Sequence, residues 1–201
     1  MTLLFLLIIG YLVGSVPTGV ILASYFTEVN IREQGSHNIG ATNMYRVTGA
    51  RLGVLTLVGD AIKGMGMVAF AGALLTNPLL VDLVAFSTFL GHCYSIYLDF
   101  KGGKGVATAA GIYLWLTPLA CLLAMTLWVV LVLRTKRSSV GALVAALSLP
   151  AFVLAFESYR THITLTLAIV AVLVWRHREN IDRLLKGEEP RTSTVTGQGP
   201  Q

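Results

Sequence analysis

The stretch VATAAGIYLWLTPLACLLAMTLWVVLVLRTKR, residues 106–137, decides the topology of this chain. Val106 to Leu133 is apolar except at Thr117-Pro118, and it runs into the basic tetrapeptide Arg134-Thr135-Lys136-Arg137. Read as one helix, it sets Lys101 and Lys104 on one side of a bilayer and Arg134–Arg137 on the other. Read as two short helices with a turn at Pro118, it returns both basic flanks to the same side. Proline has no N–H to give and its ring clashes with the preceding turn, so a break there is natural. Lys and Arg concentrate in the cytoplasmic loops of membrane proteins, which favours the turn.

The runs Leu3 to about Phe26, Arg51–Leu75, Leu79–Leu98, Val140–Phe156 and Ile163–Trp175 are also apolar. A helix needs about 20 residues to cross a hydrocarbon core of ~30 Å, and the first three runs reach that length. With a turn at Pro118, the polar segments 27–50, 99–105 and 134–137 and the basic tail from Arg176 all share one side. The sequence therefore predicts an all-α polytopic membrane protein of about seven transmembrane helices, N-terminus outside and C-terminus cytoplasmic. The two helices flanking Pro118 are expected to be short, about 12 to 15 residues or ~18 to 22 Å. The first run has no basic region before it and no small-residue cleavage site, so it reads as a retained helix. Residues 1–190 form a single integral-membrane domain in this reading. Residues 191–201, rich in Ser, Thr, Gly and Pro, are expected to be a disordered polar tail.

Composition agrees. Hydrophobic residues make up 55% of the 201 and charged ones only 12%, about half the roughly 25% of soluble domains, and mean hydropathy is +0.72. A soluble globular domain, a disordered chain and a nucleic-acid-binding arm are excluded. The net charge of +5 lies mostly in the short segments between apolar runs, where it suits an anionic leaflet. Cys93 and Cys121 lie in apolar stretches without CxxC or metal spacing and read as small hydrophobes. No ligand set for a metal and no dinucleotide fingerprint appears.

Three polar clusters fall on the basic side. The first is Gly35-Ser36-His37-Asn38-Ile39-Gly40-Ala41-Thr42-Asn43, between Arg32 and Arg46. Its small residues let backbone N–H groups approach a ligand while Ser, Asn, Thr and Arg supply hydrogen bonds and charge; the plainer reading is a Gly/Asn-rich turn. The second is Phe100-Lys101-Gly102-Gly103-Lys104-Gly105-Val106-Ala107-Thr108. Three glycines and two lysines ahead of an apolar helix make a backbone nest at a positive dipole end, suited to an anion; the alternative is a flexible positive-inside loop. It is not a Walker A loop, which wants Gly at position 98 and Ser or Thr at 105, where Leu98 and Gly105 stand. The third is His177-Arg178-Glu179-Asn180-Ile181-Asp182-Arg183, with Gly187 and Glu189 beyond. His177 and Asn180 are three apart and share a helix side; the alternative is a snorkelling helix end. His177 and Asp182 fit a His–four residues–Asp spacing, but five helical residues turn them roughly 140° apart. Asp60 and Lys63 lie inside an apolar run, where a charge costs about 2.5 to 3.5 kcal/mol; at i, i+3 they neutralise each other. The neighbouring glycines 59, 64 and 66 suggest close packing or a break that lets the pair support the site. His92 follows Gly91 and either orients the second cluster or caps its helix.

Together the clusters resemble the bacterial PlsY family, the acyl-phosphate-dependent glycerol-3-phosphate acyltransferases. The resemblance is carried by Gly35-Ser36-x-Asn38-x-Gly40-Ala41-Thr42-Asn43 with Arg46 and Gly49, by Asp60-x-x-Lys63-Gly64, by Gly91-His92 with Phe100–Thr108, and by His177-x-x-Asn180-Ile181 with Gly187 and Glu189. His37 departs from the glycine the family often carries there.

The resemblance implies transfer of a fatty acyl group from acyl phosphate to the sn-1 hydroxyl of glycerol 3-phosphate, giving lysophosphatidic acid and phosphate without a cofactor or metal. It places the enzyme in the bacterial inner membrane with its site on the cytoplasmic face, and a soluble acyl-phosphate synthase as donor-supplying partner. Ser36, Asn38, Arg46, Lys104, His177 and Asn180 are the candidate catalytic residues. Gly35, His37, Thr42, Asn43, Gly102, Gly103, Lys104, Gly105, Thr108 and Glu189 are candidates for substrate binding, and Asp60, Lys63 and His92 for structural support. A mixed anhydride carries a good leaving group, so direct transfer without a Ser-His-Asp triad or acyl-enzyme is expected. The competing class is a small transporter of anionic metabolites; such sites lie near the midplane between inverted repeats, and here no repeat is visible and only Asp60/Lys63 suits that depth. A membrane scaffold leaves the polar loops without a purpose.

Overall fold

The computed structural model describes residues 1–156 and 160–192. Residues 193–201, most of the expected disordered tail, lie outside the described residues. Among the described residues there are ten α-helices and no strand: α1 (Thr2–Ser15), α2 (Thr18–Phe26), α3 (Ala41–Thr48), α4 (Ala50–Leu74), α5 (Pro78–Cys93), α6 (Val106–Leu116), α7 (Pro118–Thr135), α8 (Ser138–Phe156), α9 (Arg160–Arg176) and α10 (Arg178–Leu185). Five spans are long and apolar enough to cross a membrane: Thr2–Phe26, Ala50–Leu74, Pro78–Leu98, Pro118–Thr135 and Ser138–Phe156; α6 and Thr161–Arg176 are shorter apolar helices. With these two, the seven apolar segments match the expected number.

The turn at Pro118 is present. Thr117 leaves the helical region at φ −143°, ψ 70°, and Pro118 opens α7 at the first helical position, where its missing N–H costs nothing. The two segments are less alike than expected: α6 has 11 residues and α7 has 18, so only α6 is short, at about 16 Å. A second break was not anticipated. The first apolar run is not one helix but two, parted at Val16-Pro17, because Pro17 removes an N–H from the ladder. The carbonyls at the break find partners elsewhere: Ser15 accepts from the hydroxyl of Ser95, just past α5, at 2.6 Å and Val16 from Lys63 Nζ on α4 at 2.9 Å.

Close helix approach rests on glycine. A Cβ on Gly64 would run into the Thr108 carbonyl, and one on Gly111 into that of Ala61, so α4 and α6 touch backbone to backbone at two levels. Gly14 and Gly91 do the same between α1 and α5. Small residues at such crossings are how membrane helices associate where lipid removes the hydrophobic drive. Leu6, Val68, Val84, Phe89, Ile112 and Ile169 fill the centre of the bundle, while Phe5, Ile8, Val58, Ile62, Leu122 and Leu154 stay on its outside, as lipid-facing side chains do.

The polar loops gather at one end. Thr42 Oγ1 and Ser138 Oγ are 3.0 Å apart, Ser139 Oγ donates to Glu189 Oε1 at 2.6 Å, and Arg46 Nη2 donates to the Arg191 carbonyl at 3.3 Å. Thr192 Oγ1 accepts from the Ser138 N–H and donates to the Lys136 carbonyl. The packed unit therefore extends past residue 190 to include Arg191 and Thr192.

Candidate active site

At that end the loops line an open cavity whose empty space, counted out to solvent, is about 820 Å³, lined among others by Ser36, Asn38, Thr42, Arg46, Asp60, His92, Lys104, Ser139, His177, Asn180, Arg183 and Glu189. All six residues singled out as catalytic candidates, drawn from three segments of the sequence, meet on its wall.

Lys104 is the centre of the arrangement. Its Nζ donates to Asn180 Oδ1, while Asn180 Nδ2 donates to Glu189 Oε1 at 2.6 Å. Glu189 also accepts from Ser139 and, at 2.8 Å, from Arg183 Nε. Burial pushes the Glu189 carboxyl up, but the bonds from Ser139, Asn180 and Arg183 outweigh it and hold the pKa below the ordinary range. Glu189 is thus a hub that fixes the Asn180 amide and, through it, the lysine. Burial also lowers Lys104 to about 8, against the attraction of Glu189.

His177 is 3% exposed, and its Nδ1 lies 2.9 Å from the Leu173 carbonyl. A carbonyl only accepts, so Nδ1 carries the hydrogen and Nε2 keeps its lone pair. Burial, with Lys104 nearby, lowers the imidazole to about 4, so it is neutral at physiological pH. Asp182 pairs instead with Lys186 on the exposed side of α10 at 2.8 Å, which disposes of a His177–Asp182 dyad.

Two cations stand uncompensated on the wall. Arg46 touches a backbone carbonyl, its Nε has no partner among the described residues, and burial lowers its pKa. Lys104 touches an amide. Neither has a carboxylate within ion-pair distance among the described residues, whereas Arg183 is matched by Glu189 and Lys63 by Asp60 at 2.8 Å.

The remaining candidates divide. Asn43 lines the cavity, but its side chain is a staple: Oδ1 accepts the Ser36 N–H at 2.8 Å and Nδ2 donates to the Ile31 and Gln34 carbonyls. Gly35, at φ 63°, lies against the Asn43 side chain. His37, at φ 56°, is exposed, off the cavity wall, with Nδ1 3.1 Å from the Arg32 carbonyl. Thr108 is fully buried behind the wall. Gly102 and Gly103 do not line the cavity either. Their carbonyls accept from Arg176 at 2.7 and 3.0 Å, and the Gly103 N–H donates to the His92 carbonyl at 3.0 Å. What faces the cavity is the next stretch, Lys104-Gly105-Val106-Ala107, where the first turn of α6 leaves N–H groups without helical partners. The loop is held to His92 by its main-chain carbonyl, and Lys63 Nζ donates to the Val16 carbonyl at the break in the first span.

Sequence reasoning missed Arg176, Ser139, Arg183 and Trp128. Arg176 clamps the glycine loop and lies 5.2 Å over the Tyr94 ring. Its signal was a lone arginine at the end of an apolar helix, which snorkelling explains equally well. Ser139 followed a basic tetrapeptide that reads as a topological anchor and nothing more.

A second, almost wholly apolar groove, with about 740 Å³ of empty space counted out to solvent, continues from the cavity. Leu57, Val106, Ala107, Trp128 and Ala142 border both. A cationic chamber joined to an apolar groove inside a helical membrane bundle defines a membrane-embedded enzyme for amphiphilic anions. The comparisons with known proteins narrow the class. A sequence model of the glycerol-3-phosphate acyltransferase family matches residues 4–187. The glycerol-3-phosphate acyltransferase of Syntrophotalea carbinolica is 46% identical over 187 residues, covering 92% of this chain and 95% of the relative. That of Geobacter sulfurreducens is 45% identical over 188 residues, covering 94% and 96%. Among solved structures, the integral membrane glycerol 3-phosphate acyltransferase PlsY in its glycerol 3-phosphate form superposes with a TM-score of 0.90 at 34% identity over 95% of this chain and 96% of that one. Its lysophosphatidic acid form gives 0.89 at 33%, over 97% of each. The chain belongs to the glycerol-3-phosphate acyltransferase family, and is an integral membrane enzyme.

Proposed function

We propose that this enzyme transfers the acyl group of an acyl phosphate directly to the sn-1 hydroxyl of glycerol 3-phosphate. The observation that carries the reading is the join between chamber and groove: two uncompensated cations, Arg46 and Lys104, stand at the head of an apolar channel. Two phosphates and one fatty tail are what such a shape accommodates. The tail lies along α6 to α9. The acyl-phosphate headgroup sits at the N–H groups opening α6, beside Lys104, a stretch one residue further on than the glycine pair of that loop. Glycerol 3-phosphate lies among Ser36, Asn38, Arg46, His177 and Asn180, with Lys104 within reach of both phosphates.

The sn-1 oxygen attacks the carbonyl carbon, the anhydride C–O bond breaks, and phosphate leaves. His177 Nε2 orients the hydroxyl by accepting its hydrogen bond, and the departing phosphate takes the proton. Cations at the developing negative charge, together with positioning, supply the rate. Ser36 is not a nucleophile in this scheme: its hydroxyl makes no hydrogen bond to any described residue, so no base activates it.

The basic end, which carries Arg32, Arg46, Lys101, Lys104, Arg134, Lys136 and Arg137, is assigned to the cytoplasm by the positive-inside bias. That puts the site on the inner face of the bacterial cytoplasmic membrane, open to donor from a soluble acyl-phosphate synthase. Purified protein in detergent, given acyl phosphate and glycerol 3-phosphate, is expected to form lysophosphatidic acid and phosphate in equal amounts. Glycerol 3-phosphate uptake into liposomes without turnover would overturn the reading in favour of a carrier.

A further inference from the structure

The apolar groove is walled by α6, α7, α8 and α9, with Leu57 of α4 where it meets the chamber. The deepest residues that line it are Tyr113 on α6, Cys121 on α7, Leu149 on α8 and Ile169 on α9. From Val106 at the chamber to Tyr113 is about 10 Å at the helical rise. Tyr113 is 1% exposed, and its hydroxyl crosses to α9, donating to Thr166 Oγ1 at 2.8 Å. Thr166 donates on to the His162 carbonyl at 2.6 Å, and His162 Nδ1 lies 2.8 and 3.0 Å from the two carboxylate oxygens of Asp82 on α5. Ionisable groups inside a membrane bundle are costly and are retained for function. This pair lies away from the reaction chamber, at the opposite ends of its helices, where no step of the reaction uses it.

We propose that Tyr113, pinned across the groove through Thr166, His162 and Asp82, is the floor that sets the acyl-chain length the enzyme accepts. The inference rests on the acyl-groove reading above. A buried phenol hydroxyl takes a hydrogen-bond partner; here that partner is Thr166 on α9, a helix that the His162–Asp82 pair ties to α5. A tail that reaches the ring must stop or bend out between helices; one that falls short gains with every added methylene.

The test is kcat/KM for a series of saturated acyl phosphates of increasing length, with purified protein. Each methylene buried is worth about fourfold, so the wild-type series rises and then flattens. Y113L should carry the rise further, by about two methylenes or fourfold for each, with short donors unchanged. A145L, which fills the wall above the floor, should flatten it earlier. Y113F keeps the ring and the packed volume and loses only the tether, so donors past the flattening length gain a few-fold. If A145L shortens the profile while Y113L and Y113F flatten where wild type does, the floor is elsewhere and the groove reading stands. If the wild-type and A145L series show no length dependence, the groove reading itself is overturned.

Discussion

Lys63 donates to the carbonyl of Val16 at 2.9 Å, across a break in the first membrane span, while pairing with Asp60 at 2.8 Å on its own helix. One ammonium thus closes a gap that Pro17 opened and neutralises the carboxylate that lines the chamber. Lys63→Met removes both contacts and leaves Asp60, 2% exposed, with only the His92 imidazole, Nδ1 3.6 Å from Oδ1, beside it. Loss of one member of a buried pair costs about 3–5 kcal/mol. Thermal unfolding in detergent should show that loss for K63M, and a smaller one for D60N/K63M than for the two single changes summed.

The alkaline limb of the pH profile should belong to Lys104. In the proposed site the ammonium is the form that grips phosphate, and burial lowers its pKa to about 8. Deprotonation therefore weakens binding as pH rises through 8, and kcat/KM falls about tenfold for each further unit. Lys104→Arg keeps a charge well above that range and should abolish the limb at a lower plateau. Kinetics in buffers spanning pH 6 to about 10 check this; an unmoved limb in K104R assigns it elsewhere.

Gly102 tolerates no side chain. A Cβ there meets the His92 and Cys93 carbonyls, so Gly102→Ala must displace the loop carrying Lys104. Displacement of a catalytic group by about 1 Å costs roughly 100-fold. Gly66, with open space around it, is the control: Gly66→Ala should leave turnover intact and stabilise α4 by up to about 1 kcal/mol.

Ser139 acts through Glu189. Removing the hydroxyl in Ser139→Ala deletes a 2.6 Å bond to a carboxylate, a contact worth about 1.5–3 kcal/mol, and loosens the amide that holds Lys104. A loss of kcat of about tenfold with the fold preserved is expected, measured by turnover and circular dichroism together.

These residues also mark what the sequence makes legible. Pro118 and Pro17 are the same signal, but only Pro118 separates two basic flanks, so charge bias exposes that break while Pro17 vanishes inside a uniform apolar run. The Ser36, Lys104 and His177 clusters are readable because polar side chains are rare between membrane helices. Arg176 and Ser139 contribute through contacts 50 to 74 residues away in sequence, about which local spacing is silent. The glycines of the second cluster announce an anion loop, yet their carbonyls belong to Arg176 and their place against His92; the free N–H groups begin just beyond them. His37 at positive φ was foreseeable only as a departure from glycine, since histidine tolerates that conformation moderately.

Direct transfer is the central claim, and rapid-quench analysis of purified enzyme mixed with acyl-labelled acyl phosphate addresses it most directly. The account predicts that label passes from donor to lysophosphatidic acid with none held on the protein at any time, with or without glycerol 3-phosphate, and that Ser36→Ala retains some turnover. An acylated enzyme formed and consumed at the rate of product formation, with its label on Ser36, contradicts it.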